Sequence, residues 1–490
     1  MALGRTRTVA LDGVTARPVT VEANIGPGLP GIHLVGLGDT AVSESKDRVR
    51  TAVANSRLPW PRTKIIVSMS PASLRKSGSH FDLPTALSVL AAGAPAPRLR
   101  DAVVVGELGL DGSVREVPGV LPALLATRTN GFTHAIIPPG NAAEATLVDD
   151  LTVLTAPSLT AAWAWATGEG ELPVAVGDGG AGHVGQCSVP DFADLAGQRE
   201  ARFAAEVAAA GGHHMLLIGP PGSGKSMIAA RLPGILPPLT PAESLEATAV
   251  HSVAGNGRVV RRAPFIDPHH SVTRAALLGG GPGTARPGAV SLAHHGVLFL
   301  DEVSEVPAAI LDGLRTPLED GEVRLLRAQR EVVFPARFQL VLAANPCRCA
   351  AEDPARCRCR SHERAGYLRN LSGPMRDRLD ITARTSAAGV LVGEEESSEV
   401  IAGRVTAARE RAMARFGCVN AATDPHLLRR EYPADDVGMA LLGSLLATGD
   451  ITQRGVDRAL KLAWTLADLE GAGQPTLDHV HRAAELREGA

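Results

Sequence analysis

Few sequence features restrict a fold as tightly as an apolar run that passes into GxxxxGK[ST] and then into a helix. Here His214-Met215-Leu216-Leu217-Ile218 leads into Gly219, Pro220, Pro221, Gly222, Ser223, Gly224, Lys225 and Ser226, and on to Met227-Ile228-Ala229-Ala230-Arg231. That order requires a strand, a tight loop and a helix. The glycines let backbone N–H groups turn inward around phosphates, and the helix N-terminus adds its positive dipole end. Lys225 would reach the β- and γ-phosphates of ATP, and Ser226 would ligate Mg²⁺. Composition sharpens the point. Of 49 basic residues only Lys46, Lys64, Lys76, Lys225 and Lys461 are lysines, so Lys225 is the one lysine between Lys76 and Lys461. A turn that merely needs glycine would have no use for it.

A phosphate loop needs a second element that holds the metal and primes water. Val297-Leu298-Phe299-Leu300 are apolar and end in Asp301 and Glu302. Asp301 would hold Mg²⁺ through its water shell, and Glu302 would polarise the attacking water.

The 490 residues suggest three to four domains. A net charge of −3 excludes a globally basic nucleic-acid coat, so any nucleic-acid contact must be local. No apolar run suits a signal peptide or a membrane span, and six cysteines form no disulfide framework. These features predict a cytoplasmic protein with no membrane partner. Residues 1–168 alternate strand candidates (Ile32–Gly36, Lys64–Met69, Ala102–Glu107, Ala135–Pro138, Leu151–Thr155) with helix candidates (Ser43–Ser56, Leu83–Ala91, Val120–Thr129, Ser158–Ala166). Dense glycine makes 169–190 a linker. Residues 191–386 form a second α/β unit with strands near Met215–Ile218, Val297–Leu300 and Gln339–Ala343. A hinge with Glu394, Glu395 and Glu396 opens 387–490, which has helical periodicity at Val400–Arg415, Pro433–Thr448, Thr452–Leu469 and Thr476–Arg487.

Two further positions resemble the AAA+ ATPases. Leu340-Val341-Leu342-Ala343-Ala344 ends in Asn345, which looks like sensor 1, the residue that orients the lytic water. Ser372-Gly373-Pro374-Met375-Arg376-Asp377-Arg378-Leu379-Asp380 resembles the segment carrying the arginine finger. Arg378 suits that role, with Arg376 as the alternative, and a finger acting on a neighbour requires an oligomer.

The match narrows with Pro264–His270, Ala276–Gly281, Arg286-Pro287-Gly288, Ser291–Glu302, Leu314–Gly321, Phe334–Phe338 and Asn345–Cys349. Nearly the whole chain resembles the magnesium-chelatase-like AAA+ family, in its ComM/YifB branch. The resemblance implies a helix-2 insert near Phe265–Arg286 and a pre-sensor-1 hairpin near Gly321–Pro335. It also implies a C-terminal helical lid whose sensor-2 arginine is Arg454, with Arg458 as the fallback. Gly106–Val114 and Thr133–Pro139 resemble the Lon-protease (ribosomal S5-like) domain. There the nucleophile position falls on His80, beside Ser79, and the lysine position falls on Ala123. Without that base a serine stays a poor nucleophile, so proteolysis is not expected. The fold class is therefore α/β throughout: a Lon-like N-terminal domain, an AAA+ P-loop core with inserts, and a helical lid.

Cys347-x-Cys349 and Cys357-x-Cys359 offer four thiolates suited to tetrahedral Zn²⁺, with His362 able to replace one. The alternative is a redox-labile or packing role. From Arg324 to Arg384 there are thirteen arginines against six acidic residues, a balance of +7. Arg324, Arg327 and Arg330 fall on the expected hairpin, where guanidinium groups suit phosphates without reading sequence. A solvated face or a neighbouring subunit's acidic side is the competing explanation. The reading is an ATP-driven ring, hexameric and nucleotide-dependent, that acts on branched or single-stranded DNA. The resemblance implies helicase or branch-migration activity in homologous recombination of incoming DNA. A chelatase-type or protein-remodelling ATPase is the alternative.

Overall fold

The computed structural model describes residues 2–36, 40–176, 189–281, 285–327, 330–351, 357–360, 362–363, 367, 371–386 and 395–488. Residues 387–394 of the expected hinge, 387–398, and most of the expected linker, 177–188, lie outside them.

The N-terminal part is built on a seven-stranded mixed sheet. Its strands are β1 (Ala2–Asp12), β2 (Thr15–Gly26), β3 (Gly31–Val35), β4 (Lys64–Ser70), β5 (Ala102–Val104), β6 (His134–Ile137) and β7 (Thr152–Thr155), in the order β3-β4-β2-β1-β5-β6-β7. Helices α1 (Thr40–Asn55), α2 (Asp82–Gly93), α3 (Val120–Thr129) and α4 (Leu159–Thr167) complete this part. The two longest strands, β1 and β2, were not among the expected ones. Over the first half of β1 the inward positions are Gly4, Thr6 and Thr8, while Leu3, Arg5 and Arg7 face out, so burial there does not follow hydrophobicity; only Val9 and Ala10 add buried apolar side chains. Gly4 has a packing reason: a Cβ there would stand 2.1 Å from the Ser88 carbonyl oxygen of α2. The beginning of the expected linker is also ordered on this sheet. Thr155 N–H donates to the Pro173 carbonyl and Ala175 N–H to that of Val153, at 2.9 and 2.7 Å.

The second part is a five-stranded, wholly parallel sheet of β8 (Met215–Ile218), β9 (Phe265–Ile266), β10 (Val297–Leu300), β13 (Gln339–Ala344) and β14 (Ile381–Arg384), in the order β9-β10-β13-β8-β14. Most residues of the three central strands are apolar or small, as burial on both faces demands. Helices α5 (Arg199–Gly211), α6 (Lys225–Ile235) and α7 (Pro241–Val253) flank it. This arrangement is consistent with an AAA+-type fold. Phe265 and Ile266 belong to the main sheet, pairing with Val297 and Leu298, so an insert can begin only after them. The short ladder Gly279–Gly280 with Arg286–Pro287 lies in that insert. The expected hairpin is present as β11 (Glu322–Arg327) and β12 (Arg330–Pro335), with its tip, 328–329, outside the described residues.

The C-terminal part is helical: α8 (Ser398–Phe416), α9 (Asp436–Thr448), α10 (Gln453–Glu470) and α11 (Leu477–Glu488). Its apolar face shares one hydrophobic core with α5, α6 and β8, through Ile401, Val405, Leu460, Ala463 and Trp464. The N-terminal part meets the core through α3 and α7. Gly119 N–H donates to the Ser252 carbonyl at 2.9 Å, and the Ser252 hydroxyl donates to the buried Glu144 carboxylate. Among the described residues no helix is long and apolar enough to cross a membrane.

Candidate nucleotide site

The loop from Gly219 to Gly224 joins β8 to α6. Gly222 and Gly224 lie at φ 76° and 84°, the left-handed region that glycine enters without a Cβ penalty. A Cβ on Gly222 would meet nothing within 4 Å, so the loop's open side is free to receive a group. Ser223 Oγ contacts Thr385 Oγ1 at 2.6 Å, and Thr385 N–H donates to the Ile218 carbonyl at 2.9 Å, which ties the loop to the end of β14. Thr385 was invisible as a partner in the linear sequence.

Lys225 opens α6 and folds back under the loop. Its Nζ donates to the carbonyls of Gly219 (2.7 Å) and Pro220 (2.9 Å) and reaches Asn345 Oδ1 at 3.3 Å. Burial lowers its pKa, while the charges of Asp301 and Glu302 pull the other way. Ser226 Oγ donates to Asp301 Oδ2 at 2.7 Å. The β8, β10 and β13 strand ends therefore bring Lys225, Ser226, Asp301, Glu302 and Asn345 to one edge of the sheet. A hydroxyl beside a carboxylate is an oxygen pair that suits Mg²⁺. Inward-turned glycines and a buried ammonium suit a polyphosphate. The residues present fit both groups.

Glu302 adopts φ 48°, unusual for a residue with a side chain, and its Oε2 lies 3.3 Å from His270 Nδ1. Its own N–H donates to Asp301 Oδ1 at 2.8 Å. The two carboxylates thus have separate orientations, one toward Ser226 and one toward the insert. His270 appeared in the sequence as part of a motif, without an assigned contact.

Arg378, Arg454 and Arg458 lie together, and not at this edge. Asp380 and Ile381 N–H both donate to the carbonyl of His214, which precedes β8, so Arg378 sits where β8 and β14 begin. The phosphate loop follows their ends, roughly 13 Å of strand away. The three arginines line one 450 Å³ pocket with Asp377, Asp380 and Asp457. Arg378 pairs with Glu319 and donates to the Pro374 carbonyl. Arg458 is held by Asp380. Burial works against the Asp380 carboxylate, but His213 and Arg458 outweigh it and keep its pKa well below the ordinary carboxylate range. Arg454 is 78 % exposed, and its acidic neighbour among the described residues is Asp377, at 4.0 Å. Arg376 ends a short helical turn before Arg378.

On the hairpin, Arg324 lies against Glu322 and, at 3.8 Å, Glu331. The side chains of Arg327 and Arg330 lie outside the described residues. In the N-terminal part Ser79 donates to Glu107, His80 Nε2 is 3.0 Å from the Val9 carbonyl, and Ala123 is buried among Val9, Leu121 and Leu124. The sulfurs of Cys347, Cys349, Cys357 and Cys359 gather just beyond Asn345.

Three family descriptions match the chain: "Magnesium chelatase, subunit ChlI" over residues 191–390, "Subunit ChlI of Mg-chelatase" over 21–141, and "Magnesium chelatase, subunit ChlI C-terminal" over 395–487. An uncharacterized protein of Mycobacterium tuberculosis is 47% identical over 506 aligned residues, covering 100% of this chain and 99% of that one. YifB of Escherichia coli is 39% identical, covering 99% and 97%. The competence protein ComM of Haemophilus influenzae is 38% identical, covering 99% and 98%.

Proposed function

This chain belongs to the magnesium-chelatase-like AAA+ family that contains YifB and ComM, and from that premise we propose that it is an ATP-driven ring motor acting on DNA. The observation that carries the reading is the separation of its arginines from its own phosphate loop. Arg378 and Arg454 lie at the opposite edge of the core sheet from Lys225. A complete hydrolytic site then needs a neighbouring copy that brings Arg378, and with it Arg454, to the γ-phosphate. Cyclic assembly satisfies that requirement for every copy at once, and a hexamer is the ring we favour.

Within one chain, Lys225 releases its carbonyl partners to meet the β- and γ-phosphates. Bound Mg²⁺, held by Ser226 and Asp301, would neutralise phosphate charge. Glu302, oriented by His270, takes the proton of the attacking water, and Asn345 aligns that water. The arginine finger offsets charge that develops on the transferred group.

DNA as the working partner rests on two supports. A full-length relative is named for competence, and the segment Arg324–Arg384 carries a surplus of seven positive charges in a chain of net charge −3. We assign residues 1–168 to a Lon-like platform without protease activity, 191–386 to the ATPase core and 387–490 to the lid. Ala123, packed in apolar surroundings where the Lon lysine would stand, supports the loss of proteolysis. Branch migration or helicase action during recombination in the cytoplasm is the specific activity proposed. ATPase rate with and without a four-way DNA junction, alongside particle size by light scattering, tests it. Junction-stimulated turnover by a large particle is expected. A monomer that releases no phosphate would reject the motor, and stimulation by a protein partner alone would turn the reading toward protein remodelling.

A further inference from the structure

The strand that carries Asn345 leaves the sheet through a turn that the nucleotide site does not use. Cys347 is two residues past Asn345 and buried, and Ala350 closes the turn at φ 54° with its N–H on the Cys347 carbonyl at 2.9 Å. Cys357 and Cys359 return to the same place. Cys347 Sγ lies 3.4 Å from Cys349 Sγ and 3.5 Å from Cys357 Sγ, and the Cys349–Cys357 separation is 3.6 Å. All four sulfurs fall within 4.8 Å of one another.

These spacings select among the chemistries open to four thiols. A disulfide draws two sulfurs to about 2.05 Å and leaves the others apart, whereas here three sulfurs are mutually close. A cube of iron and sulfide would spread its four cysteines over a wider frame. One tetrahedral ion with bonds of about 2.3 Å needs sulfurs about 3.8 Å apart, close to the observed triangle. Exposed Arg348, Arg358 and Arg360 alternate with the cysteines and offset the excess negative charge of four thiolates around a divalent ion.

We propose that Cys347, Cys349, Cys357 and Cys359 hold one structural zinc ion that fixes the chain between Asn345 and the segment bearing Arg378. A closed four-sulfur shell leaves no position for water or substrate, so the ion has no chemical step. Its work is positional. It replaces the sheet as the anchor of the backbone that begins at Asn345, and the phosphate loop is anchored independently by Thr385 and β14. Losing the ion therefore impairs turnover while leaving nucleotide binding intact. This positional part rests on the ATPase reading, and the metal content does not.

The test uses the full-length protein purified without chelator. Elemental analysis should find one zinc per chain, and titration with a mercurial should release it as four thiols are blocked. Growth with cobalt should produce the strong visible absorption of tetrahedral cobalt thiolate. The double variant Cys347→Ser, Cys357→Ser should contain no zinc. If that variant does not fold, wild-type protein stripped by the mercurial and monitored by circular dichroism takes its place. Turnover should drop by roughly tenfold or more while affinity for a fluorescent nucleotide changes by less than about twofold. A folded sample with far less than one zinc per chain, or one holding iron instead, overturns the metal site. Zinc loss with unchanged turnover overturns the positioning role.

Discussion

Ser226 Oγ donates to Asp301 Oδ2 at 2.7 Å, joining residues 75 apart in the chain. The first residue belongs to the opening turn of α6 and the second to the end of β10, two strands away from β8 in the sheet. Parallel packing makes this meeting obligatory, because all the strand ends that follow the phosphate loop's direction open on the same edge.

Lys225→Ala removes the ammonium that lies against the Gly219 and Pro220 carbonyls. It should abolish nucleotide binding or reduce turnover by about 100-fold or more. Fluorescent-nucleotide titration and phosphate release read the two effects separately. A variant within tenfold of wild type on both would remove Lys225 from the site.

Glu302→Gln keeps the shape of the side chain and loses its basicity. It should bind ATP normally and turn over about 10²–10⁴-fold more slowly. His270→Ala, which only frees the glutamate, should cost far less, and its effect should vanish in the Glu302→Gln background. Normal turnover of Glu302→Gln would assign the water to another base.

Separation of Arg378 and Arg454 from Lys225 predicts complementation. Lys225→Ala and Arg378→Ala proteins should each be inactive, yet a one-to-one mixture should recover roughly a quarter of wild-type turnover, the share of junctions with both groups intact. Arg454→Ala should behave as Arg378→Ala does. Arg458→Ala should instead lower thermal stability, since Arg458 neutralises buried Asp380. Mixed assemblies with no activity would mean that the arginines serve their own chain.

Replacing Arg324, Arg327 and Arg330 together by alanine should weaken DNA binding and flatten its salt dependence, by about one unit of slope for each phosphate left without its arginine. Arg324→Ala alone should do little, because Glu322 and Glu331 already share its charge. Filter binding across a salt series measures both. Identical slopes for wild type and triple variant would move the DNA-binding surface off the hairpin.

Burial lowers the pKa of His294 to about 4, with His295 adding to the shift and Glu246 opposing it. Its Nδ1 accepts the Arg337 N–H at 3.0 Å, so the neutral ring carries its proton on Nε2, toward Glu246. The unfolded chain, near pKa 6.5, binds this proton first as pH falls. Stability should therefore drop between pH 6.5 and 4, by about 1.4 kcal/mol per unit at most from this group. Denaturant unfolding of His294→Gln should show a flatter profile over that window. An unchanged profile would acquit His294.

The linear sequence was enough wherever the chemistry is local. Strand, glycine loop, lysine and helix are consecutive, so residues 214–231 announce themselves, and the buried runs Val297–Leu300 and Leu340–Ala344 are apolar throughout because both faces of a parallel strand are covered. It fell short where contacts replace patterns. On the first half of β1 the covered positions are Gly4, Thr6 and Thr8, which carry no hydrophobic signal, and β14 is a four-residue strand recognisable only beside β8. Thr385 under the loop and His270 on Glu302 are partners across more than thirty residues of chain. Likewise, nothing in the spacing of Lys225, Arg378 and Arg454 says that they occupy opposite edges of one sheet. Strand direction decides that, and strand direction exists only once the chain has folded.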